Sequence, residues 1–309
     1  GPRARVHARR PHPLSFVCLF LQAIAIRHAR ACFPCTPLHP PLGEPEQLRR
    51  QMDQVGLNAS DPLSLNSIRD SLTRQEDTII FSLIERAKFP INSDIYSNSS
   101  FRTGDFSGSL LEFVFQKTEA VQAAAGLFDN PEQVPFYPNK SLPSLVNGTF
   151  PKVLHGSGAS INVNKQILDY YIDHILPQIV NDGNDGKYAS TATSDIACLQ
   201  ALSRRIHYGK HVAEAKYSNA TQEYKPAICA NDTAALMEML TVEKQEDMVK
   251  RRVEKKAMVF GQEVSVDATN TTRRYKVNPT VVSDLYGQWM IPLTKKVEVD
   301  YLLGRFNSC

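Results

Sequence analysis

Apolar residues recur at three- and four-residue spacing along most of this chain, and Val, Ile and Tyr never alternate with polar residues as a half-buried strand requires. Periodic stretches at 64–87, 109–127, 163–181, 194–217, 233–260 and 280–303 predict helices. Between them, 88–108, 128–160, 182–192 and 261–279 are rich in Asn, Gly, Pro, Ser and Thr, the residues of connectors. In the first stretch Leu65, Ile68, Leu72, Ile79, Ile80, Leu83 and Ile84 keep helical spacing, and Ser64 is placed to cap the N-terminus. The pattern predicts one all-α domain from about 62 to 306.

The segment from Cys198 to Lys216 is the most informative. As one helix it puts Arg205, Tyr208, Gly209, Val212 and Lys216 on a single stripe, since steps of three and four return to the same face. Arg205 and Lys216 then sit roughly 16 Å apart along the axis, from the 1.5 Å rise per residue. Their long side chains can converge on one ligand, with Gly209 and Val212 leaving it room. A solvated face is the commoner fate of helical Arg and Lys. Here Leu199, Leu202, Ile206 and Ala213 flank the stripe, which predicts a buried helix. A buried cation needs an anionic partner, and a compact substrate with more than one negative group supplies it.

Composition alters the picture mainly at the N-terminus. The formal charge of +3 is uneven: the first fifty residues hold eight arginines against Glu44 and Glu46, so the body of the chain is mildly acidic. That body has no basic patch with interleaved aromatics, which argues against a nucleic-acid partner. Residues 1–61 combine frequent proline with arginine and no lysine, and read as a disordered or targeting leader. Within them Leu14–Ile26 is an apolar run too short for an ordinary membrane span, resembling the core of a signal peptide or part of a transit sequence. No membrane association is expected of the mature protein. Glycosylation sequons begin at Asn58, Asn98, Asn139, Asn147, Asn219, Asn231 and Asn270, an excess that fits a secretory history. Cys18, Cys32 and Cys35 fall in the leader, and Cys198, Cys229 and Cys309 make no disulfide framework.

Several patterns carry no chemistry. Cys32 and Cys35 have redox spacing without a strand–helix setting. His207 and His211 stand four apart, but no third zinc ligand is evident, so a structural pair is expected. Gly156-Ser-Gly158 and Asp182–Gly186 are turn material matching neither a phosphate loop nor a calcium loop.

Three segments, Ser64–Arg86, Cys198–Lys216 and Ile291–Leu303, together with Phe89-Pro90, Arg74-Gln-Glu-Asp77 and Gly261-Gln-Glu-Val264, resemble the eukaryotic all-helical chorismate mutases. The likeness runs from about Leu63 to Arg305 and is greatest to the cytosolic, effector-insensitive plant type. It implies a homodimeric all-α enzyme that needs no cofactor or metal and converts chorismate to prephenate. By this resemblance Arg69 and Arg205 match carboxylate-binding arginines, and Lys216 the lysine that contacts the ether oxygen and a carboxylate. Glu246 matches the glutamate that takes the substrate hydroxyl. Glu298 matches a glutamic acid donating to the ether oxygen, with Thr294 beside it. Val242 stands where fungal members have asparagine, and Gly304 where the family has arginine. The resemblance implies a cytoplasmic location, against the secretory one that the apolar run and the sequons suggest. A secreted mutase acting outside the usual pathway, and a catalytically inactive binding relative, are the two alternatives. Regulated members bind tryptophan or tyrosine between subunits. Here Gly126 and Leu127 replace the effector-binding arginines and Ala189 a glycine, while Ser190 and Thr193 are kept. The resemblance therefore implies a degenerate effector site.

Overall fold

Helix starts in this chain follow from capping chemistry. The first four N–H groups of a helix lack intrahelical partners, and a short polar side chain can satisfy one of them. In the computed structural model, which describes residues 64–98, 101, 106–146, 148, 150–264 and 274–306, Ser64 accepts from the Ser67 amide at 3.2 Å to open α1, Leu65–Arg86. Ser109 and Glu112 form a reciprocal capping box at α2, Leu110–Ala124. Then follow α3 (Asn164–Tyr170), α4 (Leu176–Ile179), α5 (Tyr188–His207), α6 (Gly209–Asn219), α7 (Thr221–Cys229), α8 (Thr233–Leu240), α9 (Glu243–Gly261), α10 (Pro279–Leu285) and α11 (Ile291–Leu303). Asp232 caps α8, and Asn278 caps α10 with Pro279 behind it. The leader, its apolar run and Cys32–Cys35 lie outside the described residues, as do the sequons at Asn58, Asn147 and Asn270.

The helical content matches the periodicity, but four details differ. The stretch 163–181 contains a π-turn at Tyr171–Ile175, and 280–303 another at Tyr286–Met290. Each stands just ahead of a proline, Pro177 or Pro292. Proline lacks an N–H and its ring collides with the carbonyl four residues back. Widening the turn lets the helix continue: the amides of Leu176 and Ile291 reach back five residues, to Tyr171 and Tyr286. The stretch 194–217 begins earlier, at Tyr188, and is interrupted at Tyr208. The stretch 233–260 breaks between Leu240 and Glu243, where the Thr241 hydroxyl donates to the Met237 carbonyl at 2.7 Å and closes α8. Finally, α7 had no apolar periodicity to announce it, and Pro226 lies inside it.

Helix α1 packs on α5 and α9, and α11 on α5, α6 and α8. Ile79, Ile80 and Leu83 of α1, Leu199, Leu202 and Ile206 of α5, and Val297 of α11 meet in one core cluster, each almost wholly buried. Burial of each such side chain is worth about 1.5–3 kcal/mol. Polar anchors fix the angles. Arg86 is fully buried; its Nε donates to Asp195 at 2.5 Å and its terminal nitrogens to the carbonyls of Phe89, Pro90 and Ile91. Buried Glu76 holds Arg252 and Lys256 of α9. The conspicuous Arg74–Asp77 and Phe89-Pro90 motifs are thus structural.

Cys198 is buried and free, whereas Cys229 is disulfide-bonded, which its spacing gave no reason to expect. His207 is a structural histidine: its Nε2 accepts from the Val163 amide at 3.0 Å, and burial pulls its pKa down to about 4. His211 stacks on Tyr208 with ring centroids 4.7 Å apart. Among the described residues no cluster of His, Cys, Asp and Glu could hold a metal ion, and no helix is long and apolar enough to cross a membrane.

Candidate active site

A cavity of about 290 Å³ opens between α1, α5, α6, α9 and α11. It is lined by all six candidate residues, Arg69, Arg205, Lys216, Glu246, Thr294 and Glu298. Its size is near the lower end of ligand pockets, roughly 300–1,000 Å³, so it suits a compact molecule.

Each wall follows from its helix. The α1 face contributes Ile68 and Leu72 from the apolar stripe and, at its edge, Arg69, which is exposed and donates to Asn66 at 3.3 Å. Arg205, on the last turn of α5, is 7% exposed and reaches the Thr294 hydroxyl at 3.5 Å, while its Nε has no hydrogen-bond partner. Thr294 in turn donates to the Met290 carbonyl at 2.7 Å.

Lys216 donates to the Leu240 carbonyl and to Glu298 Oε2, both at 3.2 Å. The first contact satisfies an acceptor orphaned at the end of α8, where a cation is also favoured by the helix dipole. The break after α8 therefore helps to position Lys216.

Glu298 is 5% exposed. Burial pushes its pKa above the ordinary carboxylate range, against the opposing pull of Lys216, Arg205 and Lys295. Glu246 is paired with Lys295 at 2.9 Å, and Lys295 also reaches the Thr241 hydroxyl at 3.2 Å. Lys295 is a site residue that the pattern alone did not single out. Beside Lys296 it reads as part of a solvated basic pair, and only the packing of α11 on the α8–α9 junction turns it inward.

The predicted stripe needs one correction. Arg205, Val212 and Lys216 face the cavity, but Tyr208 does not line it. Gly209 makes room for a helix and not for a ligand. A Cβ there would lie 2.9 Å from the Thr294 carbonyl oxygen and 3.3 Å from Glu298 Cγ. The missing side chain thus lets α11 approach α6 closely. Gly304 behaves alike, since a Cβ would meet Ser157 Cβ at 2.6 Å. Val242 lines the cavity but is 42% exposed and offers no hydrogen bond from its side chain.

The positions corresponding to the effector site stand apart. Gly126, with φ of 83°, ends α2 ahead of Leu127, while Ala189, Ser190 and Thr193 lie in the first turns of α5. A Cβ at Gly126 would strike Val146 at 2.5 Å. The left-handed turn there is one that glycine adopts without strain.

A cavity with four cations and two carboxylates, framed wholly by helices and with a buried guanidinium short of a partner, defines an enzyme site for a small organic anion. The comparisons narrow this class. Residues 188–299 match the family model for chorismate mutase type II. The chain is 53% identical to chorismate mutase 2 of Arabidopsis thaliana, over 82% of this chain and 97% of that protein. It is 48% identical to the cytosolic chorismate mutase 2 of Zea mays, over 83% of this chain and all of that one. The structure of Aro7p chorismate mutase from Candida albicans in complex with L-Trp superposes with a TM-score of 0.76 at 37% identity, covering 79% of this chain and 92% of that one. The chain belongs to the type II chorismate mutase family, a family of isomerases. Its relatives include cytosolic and chloroplastic enzymes.

Proposed function

We infer that this protein catalyses the Claisen rearrangement of chorismate to prephenate, the step toward phenylalanine and tyrosine. The observation that carries this reading is Arg205. Its guanidinium is buried, its Nε is unpartnered, and it faces the same cavity as the Lys216–Glu298 pair.

The reaction is unimolecular. As the ether C–O bond breaks, a C–C bond forms, and no nucleophile or external electron carrier takes part. The protein must select the chair-like conformer of a dianion and stabilise the charge that builds on the ether oxygen. Arg69 and Arg205 bind carboxylates, with the planar fork of Arg205 suited to bidentate pairing. Lys216 contacts the ether oxygen and a carboxylate. Glu298, whose carboxyl burial pushes toward the protonated form, donates to that oxygen, and Thr294 steadies Arg205. Glu246, oriented by Lys295, accepts from the substrate hydroxyl. Four cations against two carboxylates leave the cavity cationic, which complements the substrate.

The cytoplasm is the location that the similarity to the cytosolic maize enzyme supports, and a homodimer is what the family resemblance implies. An inactive binding relative is the poorer reading, because no binding role asks for all six polar side chains around one cavity. Purified protein incubated with chorismate, without added metal or nucleotide, should consume it, followed as loss of absorbance. Arg205→Ala should lower kcat/KM by about a hundredfold or more, because it leaves a substrate carboxylate without its buried charged partner. No turnover by the wild type, or full activity of the variant, refutes the assignment.

A further inference from the structure

On another face of α6 lies a second cavity of about 510 Å³, which shares no lining residue with the first. Lys210 reaches into it. This lysine is 4% exposed and makes no hydrogen bond or ion pair with any described residue. Its aliphatic stem passes over Gly158, where a Cβ would lie 3.6 Å from Lys210 Cδ and 2.9 Å from the Tyr301 ring. Nearby acids are engaged elsewhere. Glu214, one turn along α6, accepts from the Tyr301 hydroxyl and pairs with Arg305. Asp129, on the cavity wall, accepts from Ser144 at 2.9 Å.

Burial alone draws the Lys210 ammonium down to about 8. At neutral pH it is therefore mostly charged, and no described carboxylate pairs with it. With its stem buried and its tip at the cavity, the ammonium is placed to meet an anionic group of a ligand. The rest of the cavity shows what form the counterion takes. Phe128, Phe150, Pro131, Pro135, Val134 and Leu154 make an apolar wall large enough for a ring, while Lys152 and His155 also line it. The largely apolar wall suits a ligand whose charge sits at one end, a carboxylate on a ring, better than a fully polar phosphate.

We propose that this cavity is a second ligand site, which takes a small organic monocarboxylate with a compact apolar body, its carboxylate on Lys210 and its ring against Phe128 and Phe150. The site does not depend on the reaction assigned to the first cavity.

Benzoate is the probe, and benzamide its uncharged counterpart of the same shape. Binding is measured by titration calorimetry on the wild type, on Arg205→Ala, which disarms the first cavity, and on Lys210→Met. Benzoate should bind the wild type and Arg205→Ala alike, benzamide about tenfold or more weakly, and Lys210→Met should lose at least about tenfold in benzoate affinity, near 1.4 kcal/mol. Equal binding of benzamide, undiminished binding by Lys210→Met, or loss of binding in Arg205→Ala overturns the proposal. Nuclear Overhauser contacts between benzoate ring protons and the Phe150 ring in the wild type give a readout that needs no variant to fold. Their absence at saturating benzoate also overturns it.

Discussion

Gly209→Ala is the substitution whose effect can be worked most directly from the packing. The added Cβ would sit 2.9 Å from the Thr294 carbonyl oxygen, 3.1 Å from Thr294 Cγ2 and 3.3 Å from Glu298 Cγ. Ordinary contacts lie near 3.5 Å or beyond, so α6 and α11 must part by roughly half an ångström. The nearest atom belongs to the backbone and cannot rotate aside. Overpacking of this kind costs about 1–3 kcal/mol, while alanine returns up to about 1 kcal/mol of helix propensity. Net destabilisation is therefore between about 0 and 3 kcal/mol. The catalytic effect is separate. A misplacement of about 1 Å can cost a hundredfold in rate, so half of that shift at Thr294 and Glu298 corresponds to about tenfold in kcat. Gly287→Ala is the control. Its Cβ would also meet an atom at 2.9 Å, but that atom is Cδ of Lys250, a flexible side chain that can swing away. Initial rates of chorismate loss, with melting curves for all three proteins, make the test. Wild-type kcat in Gly209→Ala, or an equal loss in Gly287→Ala, would refute the close-approach reasoning.

Two further outcomes follow from the site. Because burial raises the Glu298 pKa, the protonated donor survives above the ordinary carboxylate range, and activity should fall as pH rises through that raised value. Glu298→Gln donates at every pH, so its profile should lack this alkaline limb; an unchanged profile assigns the limb to another group. Tryptophan, tyrosine or phenylalanine at millimolar levels should leave rates at subsaturating chorismate flat. Gly126 and Leu127 offer no cation for an effector carboxylate, and an effector shifts active states only by its differential affinity for them. A several-fold change with any of the three rules this out.

Periodicity exposed the helices because their core faces are continuous: Ile79, Ile80 and Leu83, or Leu199, Leu202 and Ile206, repeat at a spacing no strand would share. It failed where local chemistry and tertiary packing decide. The N-terminal turns of α5, Tyr-Ala-Ser-Thr-Ala-Thr, carry no apolar stripe, and α7, with Pro226 inside it, falls outside every predicted stretch. The close approach of α11 to Gly209, just past the break at Tyr208, is a long-range fact. The positions of Arg69, Arg205, Lys216, Glu246, Thr294 and Glu298 were legible through the family's long motifs. Their gathering around one cavity required three-dimensional packing, and so did the inward turn of Lys295. Lys210 looked like any helical lysine, since nothing in the sequence reports that Glu214 is already occupied by Arg305 and Tyr301.

The π-turn at Tyr286–Met290 acts as a phase shifter. It holds one residue more than an α-turn, so everything after it is rotated by about 100° relative to an uninterrupted helix. That rotation aims Thr294 and Glu298 at Arg205 and Lys216. Removing a single residue from the turn would leave every candidate site side chain in the polypeptide and yet sweep Thr294 and Glu298 around the axis, out of the cavity. It would also press the Pro292 ring against a carbonyl that the wider turn had cleared. For this enzyme, length between residues 286 and 290 is as much a determinant of catalysis as residue identity, and variants are better ranked there by spacing than by substitution.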